Sequence, residues 1–124
     1  MPKFVTIGYG DREGYERTPA AVRDAAHAQD EKLRDSGVLM GIAGVPKQVR
    51  NPEDTGLATA TGPFMTSRLP IAGFAVIEAA DMAEAVDMVS RTPCAVAHGV
   101  VEIWPLEQTP SQDVEPDRIN PARR

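Results

Sequence analysis

The sequence predicts an α+β fold, a split βαββαβ sandwich of the ferredoxin-like type. Three observations predict it. Four short runs rich in Val, Ile and Phe have strand character, and two segments with helix start and stop residues interrupt them in the order strand, helix, strand, strand, helix, strand. The 124 residues, 42% of them hydrophobic, suffice for one modest core.

Lys3 to Tyr9 reads as the first strand. Val5, Ile7 and Tyr9 alternate with Phe4, Thr6 and Gly8, and both sets are mostly uncharged, which fits a central strand covered on two faces. Gly10 to Arg17 is charged and reads as a loop. Thr18-Pro19 then supplies a helix start, a hydroxyl at the cap and a Pro at the first helical position, and Gly37 supplies the stop. Between them Val22, Ala26, Gln29 and Leu33 form a thin stripe that allows close approach to a sheet.

Gly37 to Val45 reads as the second strand. A polar excursion follows, in which Asn51-Pro52-Glu53-Asp54-Thr55-Gly56 is rich in turn formers and lies between two short arms, Lys47 to Arg50 and Leu57 to Thr61. It predicts a hairpin flap over residues 46–72, longer than an ordinary connection and of the kind that often covers a site. Gly73 to Ala79 is the third strand. Asp81 caps the next helix with Glu84 three residues on, Met82, Ala85, Val86 and Val89 make its core stripe, and Thr92-Pro93 ends it. Val100 to Leu106 is the fourth strand. Residues 1–106 thus make one domain, and 107–124, with Pro110, Pro116 and Pro121 among charged residues, reads as a mobile tail or partner-binding arm.

Two helices cover only one face of four strands. If Ala75, Ile77, Val101 and Ile103 look toward the helices, the other face carries Phe74, Val76, Glu78, Val100, Glu102 and Trp104; a slip of one residue would exchange the faces. An apolar sheet face of that size predicts a homodimer whose sheets pack together.

Composition excludes several functions. A net charge of -5 with no basic run before the tail argues against binding nucleic acid, which needs clustered cations. Met1 to Tyr9 is too short and too soon followed by charge for a signal peptide, and no window approaches the roughly 20 apolar residues of a membrane span. Cys94 is alone, so no intramolecular disulfide can form, and a reducing, cytoplasmic setting is expected. Two distant His residues lack metal-ligand spacing, and Gly8-Tyr9-Gly10 lacks the rest of a dinucleotide fingerprint. No metal and no cofactor are expected.

Gly62-Pro63-Phe64, then Ala72-Gly73-Phe74-Ala75-Val76-Ile77-Glu78, then His98-Gly99-Val100-Val101-Glu102-Ile103-Trp104-Pro105-Leu106 together resemble the YCII-related family, in particular its DGPF-motif branch. The resemblance covers roughly Lys3 to Leu106 and implies a dimeric α/β barrel of ferredoxin-like subunits. Some relatives are cofactor-free lyases or dehydrochlorinases that use a His and Asp pair. Departures accompany the likeness. Thr61 stands where the motif opens with Asp, and Trp104 stands where the last strand usually carries Arg. His27 lies near the position of the catalytic branch's His, but Gly37 to Val45 contains no Asp, so that dyad is not carried over.

The candidate acid or base residues are Glu102, His98 and His27. Glu102 and Glu78 sit in otherwise apolar strands, where a carboxylate is costly unless paired or used, and Arg68 is a candidate partner. His98 precedes Gly99 at a strand entrance, where a turn role competes with a site role. His27 lies about 120° from the apolar stripe at roughly 100° per residue, the position of a solvated helix-surface His. Glu78, Trp104, Arg68, Phe64 and Thr6 are assigned to ligand binding, although a Trp packed in a dimer core competes for Trp104. The expected function is proton transfer, an elimination, isomerisation or cyclisation on an apolar or aromatic small molecule held between sheet and flap. The alternative is a non-catalytic dimeric module that binds a ligand or protein.

Overall fold

A computed structural model describes residues 1–107. The expectation for the tail therefore lies, from position 108 onward, outside the described residues. The described residues divide into two compact units, one of Met1–Gly44 and Ser67–Leu106 and the other built on Val45–Thr66.

The first unit holds a four-stranded antiparallel sheet of β1 (Lys3–Tyr9), β2 (Leu39–Ile42), β5 (Ile71–Glu78) and β6 (Val100–Pro105), in the spatial order β2-β5-β1-β6. Its helices are α1 (Arg12–Glu16), α2 (Ala20–Asp35), α3 (Met82–Val89) and α4 (Pro93–Val96). The strand order, with helices following each of the two inner strands β1 and β5, is that of the ferredoxin-like arrangement.

Register decides which side chains reach the core. Phe4 pairs with Ile77 and Thr6 with both Ala75 and Ile103, so these residues share one face. That face meets α3: Phe4, Ile77, Ala79, Ala85 and Val89 form the buried cluster, with Ala75, Val101 and Ile103 packed against it. Ile77 is its largest fully enclosed side chain, and truncation to Ala there removes about 2–5 kcal/mol of stability. The opposite face carries Val5 between Val76 and Trp104, Ile7 between Phe74 and Glu102, and Tyr9 across from Val100, as the unslipped register requires. Phe74, Val100 and Trp104 are about half exposed there.

The helix boundaries differ from expectation in three places. Gly10 to Arg17 is not a loop but contains α1, because Asp11 Oδ1 accepts from Gly14 N at 2.8 Å and caps it. Gly14 is there for close approach, since a Cβ would stand 2.6 Å from the Ala97 carbonyl oxygen. The Thr18 hydroxyl does not cap α2; it donates to the Gly14 carbonyl at 2.8 Å, and Pro19 occupies the N-cap of α2. Thr92-Pro93 closes α3 and also opens α4, with Pro93 at a first-turn position where its missing N–H costs nothing.

Other signals act as read. Gly37 takes φ +100°, and Val38 N to Leu33 O with Gly37 N to Arg34 O completes a Schellman stop for α2. Asp81 Oδ1 accepts from Glu84 N at 2.9 Å, while Glu84 reaches back to Ala80 N, one residue upstream of a standard capping box. The second strand is shorter than 37–45, ending at Ile42.

In the second unit β3 (Lys47–Arg50) pairs with β4 (Ala58–Thr61), from Lys47 opposite Thr61 to Arg50 opposite Ala58. Asn51 organises the tip by donating to Asp54 Oδ1 and accepting from Gly56 N. Such Asx bonds replace the ladder bonds that a tight turn cannot make.

Candidate functional site

A cavity of about 350 Å³ lies between α2 and the core face of the sheet, within the range of small-ligand pockets. It is bounded wholly by the sheet-and-helix unit. Leu33 from α2, Met40 and Ile42 from β2, and Ala75 and Ile77 from β5 give it apolar walls. Gly8 forms part of the floor beneath Cys94 of α4, and a Cβ on Gly8 would stand 2.9 Å from Cys94 Sγ. The missing side chain is what lets α4 sit so close.

Helical spacing sets the polar wall. His27, Asp30 and Arg34 are three and four residues apart, so one face of α2 presents all three to the cavity. His27 and Arg34 are exposed at the rim, whereas Asp30 is half-buried. Burial raises the Asp30 carboxyl above its ordinary value, and the charges of Arg34 and His27 oppose that rise without cancelling it. His27 Nε2 lies 2.8 Å from the Tyr15 hydroxyl, and the Arg23 guanidinium stands over the Tyr15 ring at 4.9 Å. These contacts fix the imidazole from behind. Cys94 is an unpromising nucleophile, since burial and then the Asp30 charge push its thiol up, away from the reactive thiolate.

The open face of the sheet carries a second polar group. Tyr9 Oη donates to Glu102 Oε1 at 2.8 Å, and Trp104 Nε1 donates to the same oxygen at 3.2 Å. That bond to Glu102, then burial, then the charge of Glu102 hold the Tyr9 phenol above its usual value, so the pair stays a neutral donor on a carboxylate. At the far end of this face Glu78 pairs with Lys3 at 3.0 Å, and its carboxyl lies below the ordinary range.

The residues singled out from sequence are thus dispersed. Thr6 and His27 line the cavity, with the Thr6 hydroxyl turned to the Ala75 carbonyl at 3.5 Å. Glu102 and Trp104 come together on the other face, and Lys3 rather than Arg68 is the cation at Glu78. Among the described residues Arg68 has no hydrogen bond or ion pair. His98 is exposed and holds φ +63° before Gly99, where a Cβ would collide with the Tyr9 carbonyl oxygen, so its geometry is that of a turn. Phe64 belongs to the hairpin unit, beneath the Arg50 guanidinium at 5.5 Å, and is 75% exposed.

Sequence reading missed Asp30, Arg34, Tyr15 and Tyr9. The His27, Asp30, Arg34 spacing was available as a signal, because it repeats on one helical face. Tyr9 needed the β1–β6 register, which sets it diagonally across from Glu102 on the same face, within reach of the hydroxyl.

Among the described residues no three His, Cys, Asp or Glu side chains are grouped as ligands for one metal ion, and no helix is long and apolar enough to cross a membrane. No curated protein matches this chain. The model of the YCII-related domain matches residues 3–109, which span every strand and helix described above. The chain belongs to the YCII-related family.

Proposed function

We propose that this protein is a cofactor-independent, small-molecule-binding enzyme that carries out proton transfer in the cavity beneath α2, in the manner of an elimination, isomerisation or cyclisation. The observation that carries the reading is a half-buried carboxyl, Asp30, on the wall of an otherwise apolar cavity and one helical turn from His27. A carboxyl raised by burial is a better base once ionised and a usable acid while protonated, closer to neutral pH than an ordinary Asp. His27, held from behind by Tyr15 and one helical turn from Asp30, is placed to return or relay the proton. In an isomerisation the proton taken from one ligand carbon returns to another, so the step balances without a further reactant. The apolar walls favour an apolar or aromatic body. A family resemblance to His/Asp-using lyases supports this reading, with Asp30 supplying the carboxyl that the second strand lacks.

The open sheet face supports a homodimer of DGPF-branch type. Phe74, Val100, Trp104 and Leu39 expose apolar surface on one sheet face, and such a face is costly in water. A second reading of the chemistry rests on Glu102, whose Oε1 is oriented by two donors while Oε2 makes no hydrogen bond among the described residues. Both readings are separated by one experiment. Small aryl ketones and carboxylic acids are incubated with the protein in D2O and deuterium at carbon is read by mass spectrometry. Asp30→Asn abolishes incorporation under the first reading, and Glu102→Gln abolishes it under the second.

A further inference from the structure

The polar wall of the cavity is unevenly committed. The Thr6 hydroxyl donates to the Ala75 carbonyl, the Thr92 hydroxyl to the Val89 carbonyl at 2.7 Å, and His27 Nε2 is engaged by Tyr15. Arg34 differs. It follows Asp30 by four residues, the spacing at which an acid and a base on a helix normally meet. Yet among the described residues no carboxylate lies within 4.0 Å of its guanidinium, and no hydrogen bond engages it. A permanent cation with a free planar fork therefore stands at the mouth of an apolar cavity.

We propose that the cavity takes a small carboxylic acid as its anion, with Arg34 holding the carboxylate at the mouth and an apolar body lodged against Met40, Ile42 and Ile77. This rests on the cavity being the ligand site, as proposed above. The guanidinium fork matches a carboxylate with two parallel hydrogen bonds, whereas an amine would meet repulsion there. A neutral ligand would cover Arg34 without replacing the water it displaces. Asp30 adds a condition. An anion beside ionised Asp30 is repelled, so the bound ligand and the protonated form of Asp30 favour each other. The remaining titratable groups facing the cavity are His27 on α2 and Cys94 on α4. Protonation of His27 adds positive charge and acts in the same direction, while the thiol of Cys94 stays neutral because burial raises it. Binding of the anion therefore tightens as pH falls from above the raised Asp30 value toward it, until the ligand itself is protonated.

Benzoate, benzamide and benzylamine share a ring and differ in charge, so amide chemical-shift titrations of the full chain with each test the proposal. The expected result is benzoate binding tightest, with shifts at Met40, Ile42 and Ala75, and Arg34→Gln weakening benzoate about 10-fold or more while leaving benzamide unchanged. The unchanged benzamide shifts would also show that the variant is folded. Equal affinity for benzoate and benzamide, or an equal loss for all three ligands in Arg34→Gln, overturns the anion inference and leaves the cavity reading standing. No shift at the cavity amides with any of the three overturns both.

Discussion

The Tyr9 hydroxyl donates a 2.8 Å hydrogen bond to Glu102 Oε1, joining the two edges of the β1–β6 pair on the open sheet face. Deprotonating Tyr9 would set a phenolate against a carboxylate, and the phenol is accordingly raised. In an ultraviolet phenolate titration, Glu102→Gln brings the Tyr9 ionisation down toward the ordinary value. A titration unchanged by Glu102→Gln would show that the bond does not form in solution.

Asp30 links the cavity to stability. Its folded value is raised above the unfolded one, so the folded protein holds the proton more tightly. Stability is therefore full below the ordinary Asp range and falls as pH rises through the raised value. Asp30→Asn removes the charge that burial penalises. Its melting temperature exceeds the parent's at neutral pH, and the difference disappears in acid. A variant less stable at neutral pH would mean that ionised Asp30 is held by interactions stronger than its burial cost.

Gly8 and Cys94 form a steric pair. Gly8→Ala places a Cβ at 2.9 Å from Cys94 Sγ and costs roughly 1–3 kcal/mol as an overpacked contact. Combining it with Cys94→Ala removes the obstructing sulfur, so the double variant recovers much of the loss. Chemical denaturation of the four proteins measures the coupling. Additive losses would show that the cost does not come from the contact with the Cys94 sulfur.

Most of this architecture was legible from the sequence, because strand alternation and cap residues report directly on local backbone demand. Gly37, Asp81 and the face shared by Ala75, Ile77, Val101 and Ile103 all act in the fold as their residue types require. The errors fell where two elements share one signal. Thr18 looks like the start of α2, but its hydroxyl closes the helix before it, and Thr92-Pro93, read as the end of α3, also opens α4. Gly14 looks like a loop residue, yet its role is contact with Ala97, which is remote in sequence. The site was less legible for the same reason. His27 was visible, but its meaning depends on Asp30 being half-buried and Tyr15 folding back against it, and both are tertiary facts.

Dimerisation has its own test. Phe74 is 47% exposed on the open face, opposite Ile7 and Gly41. Phe74→Glu puts a charge in the proposed sheet-to-sheet contact. By analytical ultracentrifugation the parent sediments as a dimer and the variant as a folded monomer. A parent that is monomeric at micromolar concentration would leave the open face without its proposed partner.

The central claim is that Asp30 moves a proton on a ligand in the cavity beneath α2. Deuterium uptake from D2O into carbon positions of small aryl ketones and carboxylic acids, compared between the parent and Asp30→Asn, tests it most directly. The expected result is uptake with the parent and none above the protein-free rate with Asp30→Asn. Uptake that persists in Asp30→Asn and vanishes in Glu102→Gln would contradict the claim and move the chemistry to the open face of the sheet.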